Sequence, residues 1–383
     1  MQATHKDDST PGNLVLAVAL ELSKRNWKIG LQDGRRDRPA IHTVSDEGAD
    51  ARLAQLIAVI EATRMKWKLA ASARVALIYE AGQDGFWIAR ALLKRGYDAM
   101  VVDPASIPVE RRARRAKTDR LDVLRLVSSL RQWLNGERMA MHVVRIPTVK
   151  QEAERTFMRE RGQLQKELGQ HRDRIRKLLR TVGCWDSVGA DFAHRLNRGE
   201  VRCHDGSELS APLQGRLERE SARLLAADEQ LATLRQVLTE QLAPAVKEQI
   251  AHLKKLQAVG EVGATRLVLE LFWRNFNNRR QVGSCVGLVP QPYNSGESRI
   301  DQGISKTGNR RVRALLIEMA WLWLRYQPGS AITKWFLQCT SGNPENRRGK
   351  RIAIVGVARR LAIALWRYLK DGVVPAGATY KKV

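Results

Sequence analysis

Four acidic residues and one serine carry the chemistry this sequence offers. Glu21 follows the apolar run Leu14–Leu20, and Glu80 follows the short β-rich run Val75–Tyr79. Asp119 and Asp122 stand three apart at the start of a helix expected from Thr118 to Leu134, so they share one face. Hard divalent cations such as Mg²⁺ or Mn²⁺ take carboxylate oxygens. Bound at a phosphodiester, they activate the attacking oxygen and steady the leaving one. Carboxylates packed together repel unless a cation lies among them. Singly, each acid has an ordinary explanation: Glu21 ends a strand, Glu80 faces solvent, and the two aspartates favour a helix N-terminus. Jointly, they point to a metal site.

The second candidate centre is a segment rich in Pro and Gly, Gly287 to Ser298, read as a loop. Ser295 lies between Asn294 and Gly296, where the backbone can approach a phosphate closely. A serine hydroxyl is a poor nucleophile until activated. No His is near in sequence, so local spacing argues against a hydrolase triad. Activation falls to Lys or Arg, or to the metal site across a domain or subunit boundary. Ser298 and Ser305 are rival candidates. Downstream, Ile304 to Arg313 reads as a basic loop entering a helix, with Lys306, Arg310, Arg311 and Arg313 suited to phosphates. Leu256 to Thr265 resembles a helix-hairpin-helix turn. In that reading Gly260 and Gly263 offer backbone N–H groups to a phosphate beside Lys254 and Lys255; the alternative is a tight helix–helix turn. A further basic run, Arg111, Arg112, Arg114, Arg115 and Lys117, precedes the two aspartates.

These residues need a scaffold. Leu14–Leu20, Trp27–Leu31 and Ala40–Val44 read as three strands, with the Asp33-Gly34 turn before the third. A helix over Ala49–Lys68, a strand over Val75–Tyr79, a helix over Phe86–Arg95 stopped by Gly96, and a strand over Ala99–Val102 follow. Three strands, helix, strand, helix, strand, helix is the order of a ribonuclease-H-like α/β domain, although fold alone gives no function. Such a sheet would bring the four acids to one point at its C-terminal edge. Beyond residue 148 the strands vanish. Glu152–Arg180 and Leu213–Leu242 read as two long amphipathic helices with partly heptad-like spacing, a coiled coil. An oligomerisation arm and an intramolecular spacer fit them equally. The last third is mostly helical. The expected organisation, α/β plus all-α in class, is a flexible tail over 1–12, an α/β metal-binding domain over 13–148, a helical coiled-coil region over 149–250 and a mostly helical C-terminal domain over 251–383.

Charge narrows the partners. The 383 residues carry 66 Lys+Arg against 40 Asp+Glu, a net charge of +26. Such an excess faces a polyanion, because phosphate neutralisation releases counterions. The four cysteines, Cys184, Cys203, Cys285 and Cys339, form no CxxC pair, so neither a zinc site nor a disulfide framework is indicated. They read as reduced thiols of a cytoplasmic protein. No apolar signal core opens the chain, and no apolar run approaches the roughly 20 residues of a membrane span. Ile352–Leu369 is interrupted by Arg359, Arg360 and Arg367 and reads as an amphipathic helix.

Three strings together resemble a known family: Tyr79-Glu-Ala-Gly-Gln-Asp-Gly-Phe-Trp87, Lys117-Thr-Asp-Arg-Leu-Asp122, and the block from Asn294-Ser-Gly-Glu-Ser298 to Gly303-Ile-Ser-Lys-Thr-Gly-Asn-Arg-Arg311. They are similar, in order and over nearly the whole chain, to the DEDD-type transposases of the insertion-sequence 110 family, particularly its 1111 branch, relatives of Piv-type DNA invertases. The resemblance implies a RuvC-like domain binding Mg²⁺ (or Mn²⁺) through the acidic tetrad and a catalytic serine, placed at Ser295. It also implies a dimer or tetramer joined by the helical arm, with one subunit's carboxylates meeting another's serine. Further partners implied are element and target DNA, at the nucleoid, and a noncoding bridge RNA. One residue departs from the family pattern: the first acid is usually Asp and here is Glu21, one methylene longer. Two other readings stay open, a RuvC-like nuclease cutting junction DNA with metal alone and a basic, non-enzymatic RNA-binding scaffold.

Overall fold

A computed structural model describes residues 14–108, 118–295, 298–340 and 346–381. The chain divides into two compact units, Met1–Thr148 and Val149–Val383.

The first unit begins with β1 (Leu16–Leu22), β2 (Trp27–Gln32) and β3 (Ala40–Val44), an antiparallel trio. Helix α1 (Ala49–Lys66), β4 (Val75–Glu80), α2 (Trp87–Lys94), β5 (Asp98–Val102), α3 (Asp119–Leu134) and the short β6 (Val143–Val144) follow. The sheet order is β3-β2-β1-β4-β5-β6, with β1, β4 and β5 parallel and β6 antiparallel to β5. This mixed α/β sheet is compatible with a ribonuclease-H-like domain. The apolar run that predicts a central strand is one: Leu16, Ala17, Val18, Ala19 and Leu20 are fully buried, as a strand covered on both faces requires.

The two faces are covered differently. Leu16, Val18 and Leu20 pack with Leu53, Leu56 and Ile60 of α1 and Ile88 and Leu92 of α2. Ala17 and Ala19 pack with Val123, Leu126, Val127 and Leu130 of α3. Small residues on that face admit α3 closely. At Gly30 a Cβ would come within 2.7 Å of Val127 Cγ2, so glycine sets the helix–sheet spacing there.

The second unit opens with α4 (Val149–Arg180), α5 (Phe192–Asn197) and α6 (Ala211–Gln241). Leu168, Ile175 and Leu179 of α4 and Leu217, Leu224 and Leu231 of α6 belong to one core, so the predicted apolar seam is filled within the chain. Next come α7 (Pro244–Lys254), α8 (Glu261–Leu267), a π-helical turn over Val268–Phe272, and α9 (Arg279–Cys285). A hairpin of β7 (Pro290–Ser295) and β8 (Ser298–Ile304) leads to α10 (Arg310–Tyr326), α11 (Ala331–Thr340) and α12 (Arg347–Asp371). The segment around Ser295, expected as a loop, is therefore a two-stranded ribbon. Pro290 and Pro292 flank a register irregularity within it, where a residue lacking an N–H is tolerated. Among the described residues no helix is long and apolar enough to cross a membrane.

Candidate active site and nucleic-acid interface

The acids are positioned by strand register and by the direction of α3. Leu20 pairs in parallel with Tyr79, so Glu21 and Glu80 occupy the next rung of neighbouring strands. Glu21 alternates with Ala19, and Glu80 with Ile78, and both of those side chains lie in the core beneath α3. Side chains alternate along a strand, so both glutamates belong to the α3 face. Glu21 lies within β1 rather than after it, because pairing with β2 runs on through Leu22↔Trp27.

Helix α3 runs back along β1. Its far end is pinned where Arg131 Nη1 donates to the Val15 carbonyl at 3.0 Å. Its middle lies on Gly30, the cross-strand partner of Ala19. Asp119 precedes Arg131 by twelve residues, about 18 Å of helix at 1.5 Å per residue. Val15 to Glu21 is six residues, about 20 Å of strand. The start of α3 is therefore level with Glu21. Asp119 is four residues before Val123, and Asp122 four before Leu126, so both continue the stripe that α3 buries on the sheet. Thr118 caps the helix, its side chain accepting from Leu121 N at 3.3 Å. Asp119 is exposed and Asp122 half-buried.

Backbone placement thus brings the four acidic positions to one end of one sheet face. Asp122 Oδ1 accepts from Arg125 Nη1 at 3.1 Å. Among the described residues no group of three or more His, Cys, Asp or Glu side chains is arranged to hold a metal ion. The donor chemistry, all hard oxygen, suits Mg²⁺ or Mn²⁺; joint ligation requires Asp122 to turn from Arg125. Arg111, Arg112, Arg114, Arg115 and Lys117 lie outside the described residues.

In the second unit Ser295 is the last rung of β7, paired with Ser298. The base of this hairpin is built on tight backbone turns. Gly287 (φ +65°) and Gly308 (φ +80°) occupy the left-handed region. A Cβ on Gly287 would collide with the Thr307 carbonyl, and one on Gly308 with that of Cys285. The predicted basic residues divide into two kinds. Lys306, Arg310 and Arg311 are exposed. Arg313 is engaged internally: its Nη1 donates to the Val286 and Thr307 carbonyls at 3.0 and 3.1 Å, and burial pushes its pKa down. Ser305 Oγ accepts from Thr307 Oγ1 at 3.2 Å.

The turn from Leu256 to Gly260 joins α7 to α8, the connection that both readings of this segment require. It is braced from behind, where Gln327 Nε2 donates to the Gln257 carbonyl at 3.0 Å and Lys381 Nζ to that of Val259 at 2.9 Å. Gly260 is the N-cap of α8 with open space around its Cα. Gly263 has a packing reason instead, since a Cβ there would sit 3.3 Å from Met319 Sδ. Lys254 pairs with Glu261 at 3.4 Å, and Lys255 is exposed.

Sequence reasoning missed Glu270. This carboxylate is 6% exposed, within the π-helical turn. π-Turns interrupt the regular helix ladder and recur at functional sites. The only signal was an acid inside the apolar run Val268–Phe272.

Comparison with known proteins bears on the whole arrangement. The model of the family described as Transposase IS116/IS110/IS902 matches residues 250–334, from the end of α7 into α11. The chain is 38% identical to a protein of Sinorhizobium fredii named putative transposase y4rJ, over 95% of this chain and 94% of that one. It is 26% identical to putative transposase y4qE of the same organism, over 92% and 88% of the two chains. It is also 26% identical to the transposase for insertion sequence element IS1111A of Coxiella burnetii, over 61% and 63%. Likeness at this level across almost the full length of a relative, with the family model lying over the serine hairpin, places the chain in the IS116/IS110/IS902 family of insertion-sequence transposases.

Proposed function

We propose that this protein is the DNA transposase of an insertion sequence, cutting and rejoining strands with Ser295 as nucleophile and a divalent cation held by Glu21, Glu80, Asp119 and Asp122. The observation that carries the reading is the convergence of two adjacent strand ends and the start of α3 on one corner of the sheet, with an acid at each point. Family membership supports the DNA substrate, and the net charge of +26 supports a polyanionic partner.

The cation, Mg²⁺ or Mn²⁺, supplies Lewis acidity at a phosphodiester oxygen when bound. The Ser295 hydroxyl attacks phosphorus, an Oγ–P bond forms, and the bond to the leaving strand oxygen breaks. The serine proton leaves, and the departing oxygen is protonated. Rejoining reverses this order: a strand hydroxyl attacks the phosphoserine diester and frees Ser295. Exposed Lys306, Arg310 and Arg311 steady the strand's phosphates. By the family resemblance the working assembly is a homo-oligomer and a noncoding bridge RNA pairs with the donor and target DNA; the net charge of +26 suits a polyanion of either kind.

A denaturing gel of the full-length chain incubated with element-end DNA, with and without Mg²⁺, tests the reading. A covalent protein–DNA band that requires both Mg²⁺ and Ser295 is expected. Metal-dependent cleavage that survives Ser295→Ala without any adduct would establish a metal-only nuclease instead.

A further inference from the structure

A cavity of about 430 Å³ lies where α4 and α6 meet α7 and α8, and no residue of the serine hairpin lines it. Its lining carries four cations, Arg161, Arg235, Lys247 and Lys254, against one acid, Glu261. That acid already pairs with Lys254 at 3.4 Å. Arg161 is the buried cation of the lining. It is 8% exposed, yet its Nη1 donates only to a neutral group, Gln165 Oε1, at 2.9 Å. Among the described residues it has no carboxylate partner. Burial first, then the neighbouring Arg266 and Arg235, push its pKa down. A buried cation without a counter-ion is costly and calls for one. Lys254 is half-buried and two other cations are open to solvent. Arg235 and Lys247 are exposed, and Lys247 Nζ reaches only a backbone carbonyl, that of Glu240, at 3.2 Å.

A buried planar guanidinium in the lining of a pocket that a second guanidinium and two ammonium groups also line, one of them paired with Glu261, matches a phosphate group. Arginine grips its oxygens bidentately, and lysine adds point charge. Thr265, 8% exposed, also lines the cavity, its hydroxyl donating to the Glu261 carbonyl at 2.8 Å. The volume exceeds a bare phosphate and falls in the range of sites that seat a larger ligand fragment. We propose that this cavity is a phosphodiester-binding site, seating a backbone phosphate of a polynucleotide bound by the protein. The inference rests on the nucleic-acid role argued above but not on the serine or the metal. It assigns the junction of the paired helices and the helix-hairpin-helix turn to holding nucleic acid rather than only to joining two parts of the fold.

The test is fluorescence anisotropy of the full-length chain with labelled duplex DNA and, separately, labelled single-stranded RNA, across a salt series. Arg161→Met keeps the aliphatic stem; Arg235→Gln and Lys247→Gln change only exposed groups. Arg172→Gln, an exposed α4 site outside the cavity, is the control. Loss of one phosphate contact reduces the slope of log K against log salt by about 0.9 for duplex and about 0.7 for single strands. Each cavity variant is expected to weaken binding several-fold and to flatten the slope with at least one polymer; the polymer affected identifies whose phosphate is held. Should Arg161→Met melt early, the two exposed-site variants carry the result. Slopes and affinities equal to the Arg172→Gln control on both polymers would overturn the assignment, as would protection from melting by inorganic phosphate with no change in polymer binding. A chain that binds through the cavity yet forms no serine–DNA adduct overturns the earlier reading and leaves this one standing.

Discussion

The side-chain amide of Asn309 donates to the buried carboxylate of Glu270 at 3.2 Å. The same Asn309 turns its oxygen to the first turn of α10, accepting from Arg311 N and Val312 N at 3.1 and 3.2 Å. Glu270 therefore fixes which way the capping amide faces, and so the start of the helix that presents Arg310 and Arg311. Its second oxygen has no hydrogen-bond partner and lies 3.8 Å from Arg266 Nε.

Removing that acceptor leaves the Asn309 amide unsatisfied. Glu270→Ala is expected to cost about 1–3 kcal/mol, the range for orphaning a buried polar group. Glu270→Gln keeps an acceptor for Asn309 and is expected to cost less. Urea unfolding at constant m-value checks both. Equal stability of Glu270→Ala and wild type would contradict the capping role.

Gly30 sets the distance between α3 and the sheet, and α3 carries two of the four acids. Gly30→Ala is expected to destabilise the first unit by about 1–3 kcal/mol, the usual cost of overpacking. It should also lower strand cleavage more than its stability loss explains, because the aspartates move relative to Glu21 and Glu80. Cleavage assayed well below the variant's melting temperature separates the two effects. A destabilised but fully active variant would show that α3 placement is not critical.

Between α4 and α6, His171 Nδ1 lies 2.6 Å from Glu220 Oε2, with Arg174 and Arg223 at 3.3 and 2.9 Å from the same carboxylate. The hydrogen bond to His171, then that to Arg174, holds the Glu220 pKa below its usual value despite burial. A carboxylate with a depressed folded pKa contributes stability above its unfolded pKa and loses it as pH falls through the folded one. Wild type is expected to melt above Glu220→Gln at pH 7. The gap should close below the ordinary glutamate range of about 4.3. Calorimetry from pH 7 to pH 3 reads this directly, and a constant gap would contradict it.

Much of the first unit was legible because its signals are local and strong. The apolar run at Leu14–Leu20 marks a strand covered on both faces, and the Leu53, Leu56 and Ile60 spacing marks the buried side of α1. The strand ends that carry Glu21 and Glu80 followed from these. The direction of α3 did not, since it depends on a long-range contact, Arg131 to Val15. The hairpin at Pro290–Ile304 was hidden because Pro and Gly signal a loop, and a short ribbon with exposed residues shows no buried alternation. Glu270 and Arg161 were missed for one reason. A charged residue on a helix reads as solvent-facing, and only tertiary packing reveals that both are buried.

The central claim is that Glu21, Glu80, Asp119 and Asp122 jointly hold one kind of divalent ion. Electron paramagnetic resonance of Mn²⁺ titrated into the purified full-length chain counts bound ions directly. The account predicts saturable binding that disappears in the Asp119→Asn/Asp122→Asn double variant while circular dichroism stays unchanged. Identical Mn²⁺ binding by the double variant, or none by wild type, would contradict it.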